Sequence, residues 1–337
     1  MNKLYCGIDL HANNHVICVI DDKDQRLLET KCDNQIEFTL KALSRFKKRL
    51  KGVAVESTFN WYWLVDGLMD AGYPVELVNT ASVVQYNGLK RTDDRYDAFH
   101  LAHLMRLGIL PTGYIYPKES RSVRDLLRKR MQLVQNRSSH VIRYKSHLHN
   151  LTGKTERADT IKANKYQIPA VGDELVQLAL QSHLQMIRAY SRQIKQLEKT
   201  LHLHTESDQA LACLRTTPGI GDILALTILL ETGDIERFSG PGNYASYCRC
   251  VDSRRLSNGK KKGENNRKNG NRYLAWAFIE AANFAIRRSE KAKRFYQRKS
   301  RASNIIVARK ALAHKLARAC YWIMKKQQAF DEKLIFG

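Results

Sequence analysis

The 337 residues include 57 Lys and Arg against 33 Asp and Glu, giving a formal charge of +24 and a pI near 9.8. With 43% hydrophobic residues the chain has material for two or three globular domains, which excludes a disordered basic tail. A field of this sign draws polyanions, nucleic acid first among them. The opening MNKLYCGIDLHANN passes from a charged residue straight into a strand pattern, so neither a signal peptide nor a membrane span is predicted. The seven cysteines are odd in number and form no CxxC pair, which predicts reduced, mostly buried thiols. Cys248 and Cys250 form a CxC without a second pair, so burial in a strand is expected rather than zinc.

Residues 4 to 10, 15 to 21 and 26 to 32 read as three strands of an antiparallel meander, separated by polar turns at Asn13-Asn14 and Asp21 to Gln25. A helix is predicted over Ile36 to Phe46 and an apolar strand over GVAVES (52 to 57). A helix over Trp61 to Met69, ending at Gly72, and a strand over PVELVN (74 to 79) follow. Three strands and then alternating helices and strands is the order of an RNase H-like (RuvC-like) α/β domain. In that fold an acid stands at the centre of the first strand and another at the C-terminal end of the fourth. Asp9 and Glu56 fall at those places. In KRTDDRYDAFHLAHL, Asp94 and Asp97 lie three apart, so on a helix both carboxylates share one face. Such acids repel unless a divalent ion joins them, and oxygens from strand ends and a helix face are what Mg²⁺ accepts. Two ions about 3.5–4 Å apart would stabilise both the attacking and the leaving oxygen of a phosphoryl transfer. Solvated strand-end caps and an acid-favouring helix N-terminus explain the same four residues equally well.

From Ser120 to Leu151, Val123, Leu127, Val134, Val141, Leu148 and Leu151 recur at near-heptad spacing, which predicts a long packing helix. A second runs from Asp173 to about Leu203, with Leu180, Leu184, Ile187, Ile194, Leu197 and Leu201 on its stripe. The two are expected to form an antiparallel coiled coil or an oligomerisation arm, joined through a loop or mobile tip. In LRTTPGIGDILALTILLETG, Pro218 to Gly221 followed by an apolar helix reads as a helix-hairpin-helix. There Gly219 and Gly221 let backbone amides approach a phosphate, although a plain turn between core helices has the same composition. Between Arg254 and Arg301 stand 16 Lys or Arg against three Glu. Lys260, Lys261, Lys262, Arg267, Lys268 and Arg272 are the candidate nucleic-acid contacts, and Ser257, among cations and glycines, is a candidate nucleophile toward a phosphodiester. A closing helix over Asn304 to Lys326 is expected to bury Ile306, Leu312, Leu316 and Trp322.

In their order and spacing, GIDLH, VES and DDRYDAFHLA together with TTPGIG, SNGKKKGENNRKNGNRYL and IEAA resemble the blocks of the DEDD transposases of the insertion sequence 110/1111 group. The likeness extends over nearly the whole chain. It implies three regions: a RuvC-like domain (1–117), coiled-coil helices with their connecting loop (118–207), and a mostly helical transposase domain (208–337). It further implies Mg²⁺, of the two-metal type, held by Asp9, Glu56, Asp94 and Asp97. Ser257, with Ser253 as the second choice, would form a covalent phosphoserine. The site would be shared between protomers of a synaptic tetramer, and a bridge RNA would pair with target and donor DNA in a bacterial cytoplasm, at the nucleoid. Two other readings are a RuvC-like junction-resolving nuclease, which needs the acids and no serine, and a non-catalytic nucleic-acid scaffold.

Overall fold

The computed structural model describes residues 3–83, 93–253, 255–263 and 269–336. They divide into two compact units, residues 1–118 with 253–269 and residues 119–252 with 270–337.

The first unit is built on β1 (Leu4–Leu10), β2 (Asn14–Ile20), β3 (Arg26–Asp33), β4 (Leu50–Glu56) and β5 (Val75–Val78), in the sheet order β3-β2-β1-β4-β5. The first three strands are antiparallel neighbours, whereas β4 is parallel to β1 and β5 to β4. The turns after β1 and β2 are short enough for hairpins, while the parallel pairs need crossovers. α1 (Ile36–Leu43) and α2 (Tyr62–Asp70) lie in those crossovers. β1, β2 and β4 are apolar almost without a break and buried, as strands covered on both faces are. β3 is largely exposed and carries Arg26, Glu29, Lys31 and Asp33, charges that blunt an edge strand. α1, expected to reach Phe46, stops at Leu43. A 3-10 turn, Ser44–Arg49, takes over, and its three-residue period turns Phe46 into the core beside Leu43.

α3 (Asp94–Arg106) packs against β1 and β2. Its approach is close because Gly7 has no side chain: a Cβ there would collide with the Ala98 carbonyl oxygen and stand 2.7 Å from the Ala102 nitrogen. The far end of α3 is fixed to the β2–β3 turn, where Asp24 accepts from Arg106 Nε and Nη2 at 2.6 Å each, with His103 Nδ1 at 2.9 Å.

In the second unit α4 (Lys118–Thr152) and α6 (Glu174–Thr205) run antiparallel, as Arg130 pairing with Glu198, Arg137 donating to Ser191, and His140 meeting His183 require. The connection expected as a mobile tip holds a short helix, α5 (Ala158–Lys162). Ile161 is fully buried among Val141, Tyr144, Leu148, Leu180 and Leu184, and the Tyr144 and Tyr166 hydroxyls meet at 2.9 Å. Isolated apolar residues fill that end, so no periodicity announces it.

The remaining core joins α7 (Gln209–Arg215), α8 (Asp222–Thr232), α9 (Pro241–Tyr247), α10 (Arg272–Arg288), α11 (Glu290–Ala302) and α12 (Ile305–Lys326), with a short α13 (Glu332–Phe336) after it. Cys248 and Cys250 are buried in a helix end, not in the strand expected. Arg249 takes φ +54°, its N–H donates to Ser246 O and that of Cys250 to Ala245 O, which is a Schellman termination of α9. On α12, Leu312 and Leu316 are buried, but Ile306 is 71% and Trp322 44% exposed. Ile306 belongs to the first turn, where Ile305 and Val307 are exposed with it, and Trp322 lies between the exposed Arg318 and Lys325. Beyond that turn α12 is buried around much of its circumference, by Ala308, Ala313, Ala317 and Tyr321 as well as the two leucines. Among the described residues no helix is long and apolar enough to cross a membrane.

Gly7→Ala is expected to lower stability by about 1–3 kcal/mol, the usual range for overpacking, measured as a reduced urea midpoint. Gly219→Ala is expected to fall in the same range, since a Cβ there would collide with the Ala281 oxygen and the glycine has φ +89°.

Candidate active site

Ile8 of β1 lies beside Val55 of β4 in parallel register, so Asp9 and Glu56, one residue further on, leave the carboxyl edges of neighbouring strands together. Asp9 is buried and Glu56 half-buried. Asp94 and Asp97 occupy the first turn of α3, which Gly7 lets down onto β1. Asp93 begins the helix, its carboxylate accepting from Tyr96 N at 2.7 Å.

Crowding of like charges is visible in the proton affinities. Glu56 is pushed up to about 8 by burial, by its hydrogen bond with Asp9, and by the Asp9 and Asp97 charges. Asp97 is raised by burial and by Asp9, Asp94 and Asp93, with His11 opposing. The four acids singled out by their spacing are therefore one electrostatic cluster.

His11 belongs to it as well. Nε2 stands 3.0 Å from Asp9 Oδ2 and 3.3 Å from Asp94 Oδ1. The approach to Asp9 lacks hydrogen-bond geometry, leaving that buried oxygen, like Asp97 Oδ1, without a donor. The His11 backbone is clamped: its N–H donates to Asn14 O, and its carbonyl accepts Asn34 Nδ2 and Asn60 Nδ2 at 3.0 Å each. Sequence alone gave His11 no role. The available signal is its place two residues after Asp9, the repeat that returns side chains to one face of an extended chain.

Ligand atoms of Asp9, His11 and Asp94 all lie within 4.8 Å of one another. Unpartnered buried carboxylate oxygens and raised proton affinities fit a divalent cation, which removes the repulsion that produces both. The carboxylates suit Mg²⁺, and the imidazole adds a donor that favours Mn²⁺ or another transition ion.

Ser257 ends β6 (Arg255–Ser257) and pairs with Lys260 at the start of β7 (Lys260–Gly263). Asn258 and Gly259 both have positive φ, 50° and 70°, the two-residue turn that matches hairpin twist. Ser257, Lys260 and Lys262 are exposed, Lys261 sits within β7, and Ser253 is half-buried. Ser82 Oγ donates to Asn269 Oδ1 at 3.1 Å at the end of the same segment. Arg267 and Lys268 lie outside the described residues. In the second unit Arg272 is exposed in the first turn of α10, its guanidinium over the Tyr273 ring at 4.9 Å. Gly219 is pressed against α10, whereas Gly221, preceding α8, has open space beside it.

The strand order, with acids at the carboxyl edge of the sheet, is consistent with an RNase H-like DEDD domain. Two family models match the chain in succession: a DEDD transposase model of the IS110 group over residues 6–152, and the transposase IS116/IS110/IS902 family over residues 211–297. None of the curated proteins compared with the chain matches it. The chain belongs to the IS110 family of DEDD transposases, a family that cuts and recombines DNA.

Glu56 sets a sign for the pH dependence of the metal-free protein. Its folded form keeps a proton up to about 8 that an ordinary carboxyl releases near 4.5, so stability must fall as pH rises through that window. The melting temperature is expected to decline between those limits, and Glu56→Gln to flatten the decline. Added Mg²⁺ or Mn²⁺ is expected to restore wild-type stability most at the alkaline end.

Proposed function

We propose that this transposase exchanges DNA strands through a phosphoserine on Ser257, with divalent ions held by Asp9, Glu56, Asp94 and Asp97, under the direction of a bridge RNA that pairs with target and donor. The observation that carries the reading is the convergence of four carboxylates from β1, β4 and α3 on one point. The exposed serine at the tip of a tight hairpin supports it. When bound, the cations would supply charge neutralisation at the attacked phosphate.

The chain's own groups account for the rest. The Ser257 hydroxyl loses its proton as Oγ bonds to phosphorus, and the DNA oxygen whose bond to phosphorus breaks takes up a proton, leaving a phosphoserine and a free strand end. Attack on that phosphoserine by the hydroxyl of another strand end, which gives up its proton to the departing serine oxygen, joins the new strand and returns the serine. Lys260 and Lys262, beside the turn, face the extra negative charge of the five-coordinate phosphate. The Asn258-Gly259 turn fixes the hydroxyl at a hairpin end, so little chain entropy is lost on attack.

In this reading residues 1–117 hold the acids and 118–207 form a coiled-coil arm joining protomers into a dimer and a synaptic tetramer. Residues 208–337 supply the serine and a helix-hairpin-helix phosphate contact, for which Gly221, with open space at its α-carbon, is better suited than Gly219, which is packed against α10. Lys260 to Lys262 and Arg272, with Arg267 and Lys268, contact nucleic acid.

Asp9→Asn and Glu56→Gln are expected to abolish cleavage while leaving DNA affinity nearly intact, because affinity is spread over many cations. Ser257→Ala is expected to bind DNA and RNA yet to give neither adduct nor recombinant on denaturing gels. Mixing Ser257→Ala with Asp9→Asn protein is expected to recover activity if two protomers share the site. An adduct formed by Ser257→Ala moves the nucleophile to Ser253. Metal-dependent cleavage that never yields an adduct makes the chain a junction-resolving nuclease.

A further inference from the structure

α11 and α12 carry six Lys or Arg each, against one Glu on α11 and no acid on α12. Between them, within the second unit, lies a groove of about 670 Å³ that includes Lys299, Lys310, His314, Lys315, Arg318 and Asp252. Asp252 is matched, since Lys310 Nζ donates to it at 2.8 Å. Among the described residues no carboxylate pairs with Lys299, His314, Lys315 or Arg318.

We infer that this groove seats the phosphodiester backbone of a nucleic acid. The inference rests on the nucleic-acid reading above for the class of its ligand, but not on the acid cluster or on Ser257. Like charges gathered without counter-charges are held at a free-energy cost, which a row of phosphates removes. The repulsion is visible here too: Lys315 is lowered by burial and by Arg318 and Arg298, and His314 by burial and by Arg318 and Lys315. Backbone contact fits better than base contact because the aromatic ring in the groove is already occupied. Lys315 Nζ lies 5.4 Å and Arg298 Cζ 5.8 Å from the Phe295 ring centre, and Phe336 packs against the same ring at 6.1 Å. A stacking platform for unpaired bases needs an open face.

The test uses full-length protein in the Asp9→Asn background, so that cleavage does not disturb binding. Affinity for a labelled 20-base-pair DNA duplex, and for an RNA duplex of equal length, is measured across salt concentrations. Lys299→Gln/Lys315→Gln/Arg318→Gln is compared with an equal charge change at exposed positions of the first unit, Lys41→Gln/Lys48→Gln/Lys51→Gln. Removing one phosphate interaction lowers the log–log salt slope by about 0.9, so the groove variant is expected to be shallower by about two to three and the control to keep its slope. A change confined to the DNA or to the RNA duplex identifies which backbone the groove takes. Arg318→Gln alone, on an exposed residue, is expected to lower the slope by about one and serves if the triple variant does not fold. A groove variant whose slope equals that of the control on both duplexes overturns the inference. Retained cleavage by Asp9→Asn protein overturns only the acid-site reading, so the two failures are distinct.

Discussion

The distance between α3 and β1 governs the chemistry of the first unit. Gly7 lets helix backbone touch strand backbone, with Ala98 and Ala102 as the small residues on the helix side. Only at that separation do the first-turn carboxylates of α3 share an electrostatic environment with Asp9 and Glu56. Asp24, gripped by Arg106 and His103, holds the opposite end of the helix, so α3 is fixed at its middle and at its tail while its acidic head projects over the strand ends. The strain of gathered carboxylates is thus imposed by apolar packing some distance away.

The two units show one design with the sign reversed. In the first, carboxylates are brought closer than water would allow and leave oxygens without donors. In the second, ammonium and guanidinium groups crowd a groove whose one carboxylate, Asp252, pairs with Lys310, and among the described residues none pairs with Lys299, Lys315 or Arg318. Each arrangement is unfavourable in the isolated chain and complementary to a ligand of opposite charge. Folding free energy from the apolar cores maintains both.

Much of this is legible in the order of the amino acids. The acids stand out because buried strands write continuous apolar runs, and Asp9 and Glu56 interrupt or end them. The two long helices α4 and α6 are legible for the same reason, because a repeated period survives ignorance of the partner helix, although Leu151, which the spacing puts on the stripe, is 40% exposed. His11 is not, since a lone histidine after a strand has no period and its role comes from Asn34 and Asn60 brought together by the fold. Asn258-Gly259 is a strong hairpin signal, yet its flanks are basic rather than alternating, so the pattern predicts no pair of strands there. The CxC points wrongly to a strand because burial alone does not distinguish a strand from a helix end.

The serine segment has one more consequence. Residues 253–269 group with the first unit, but both of their chain neighbours are anchored in the second. Asp252 is held by Lys310, Gly270 O accepts from Arg249, and Asn271 donates to the buried Glu231 carboxylate. A segment tied at both ends has fewer conformations to lose on settling into place than a free tail of equal length, so the anchors at Asp252 and Asn271 lower the entropy cost of ordering the serine turn.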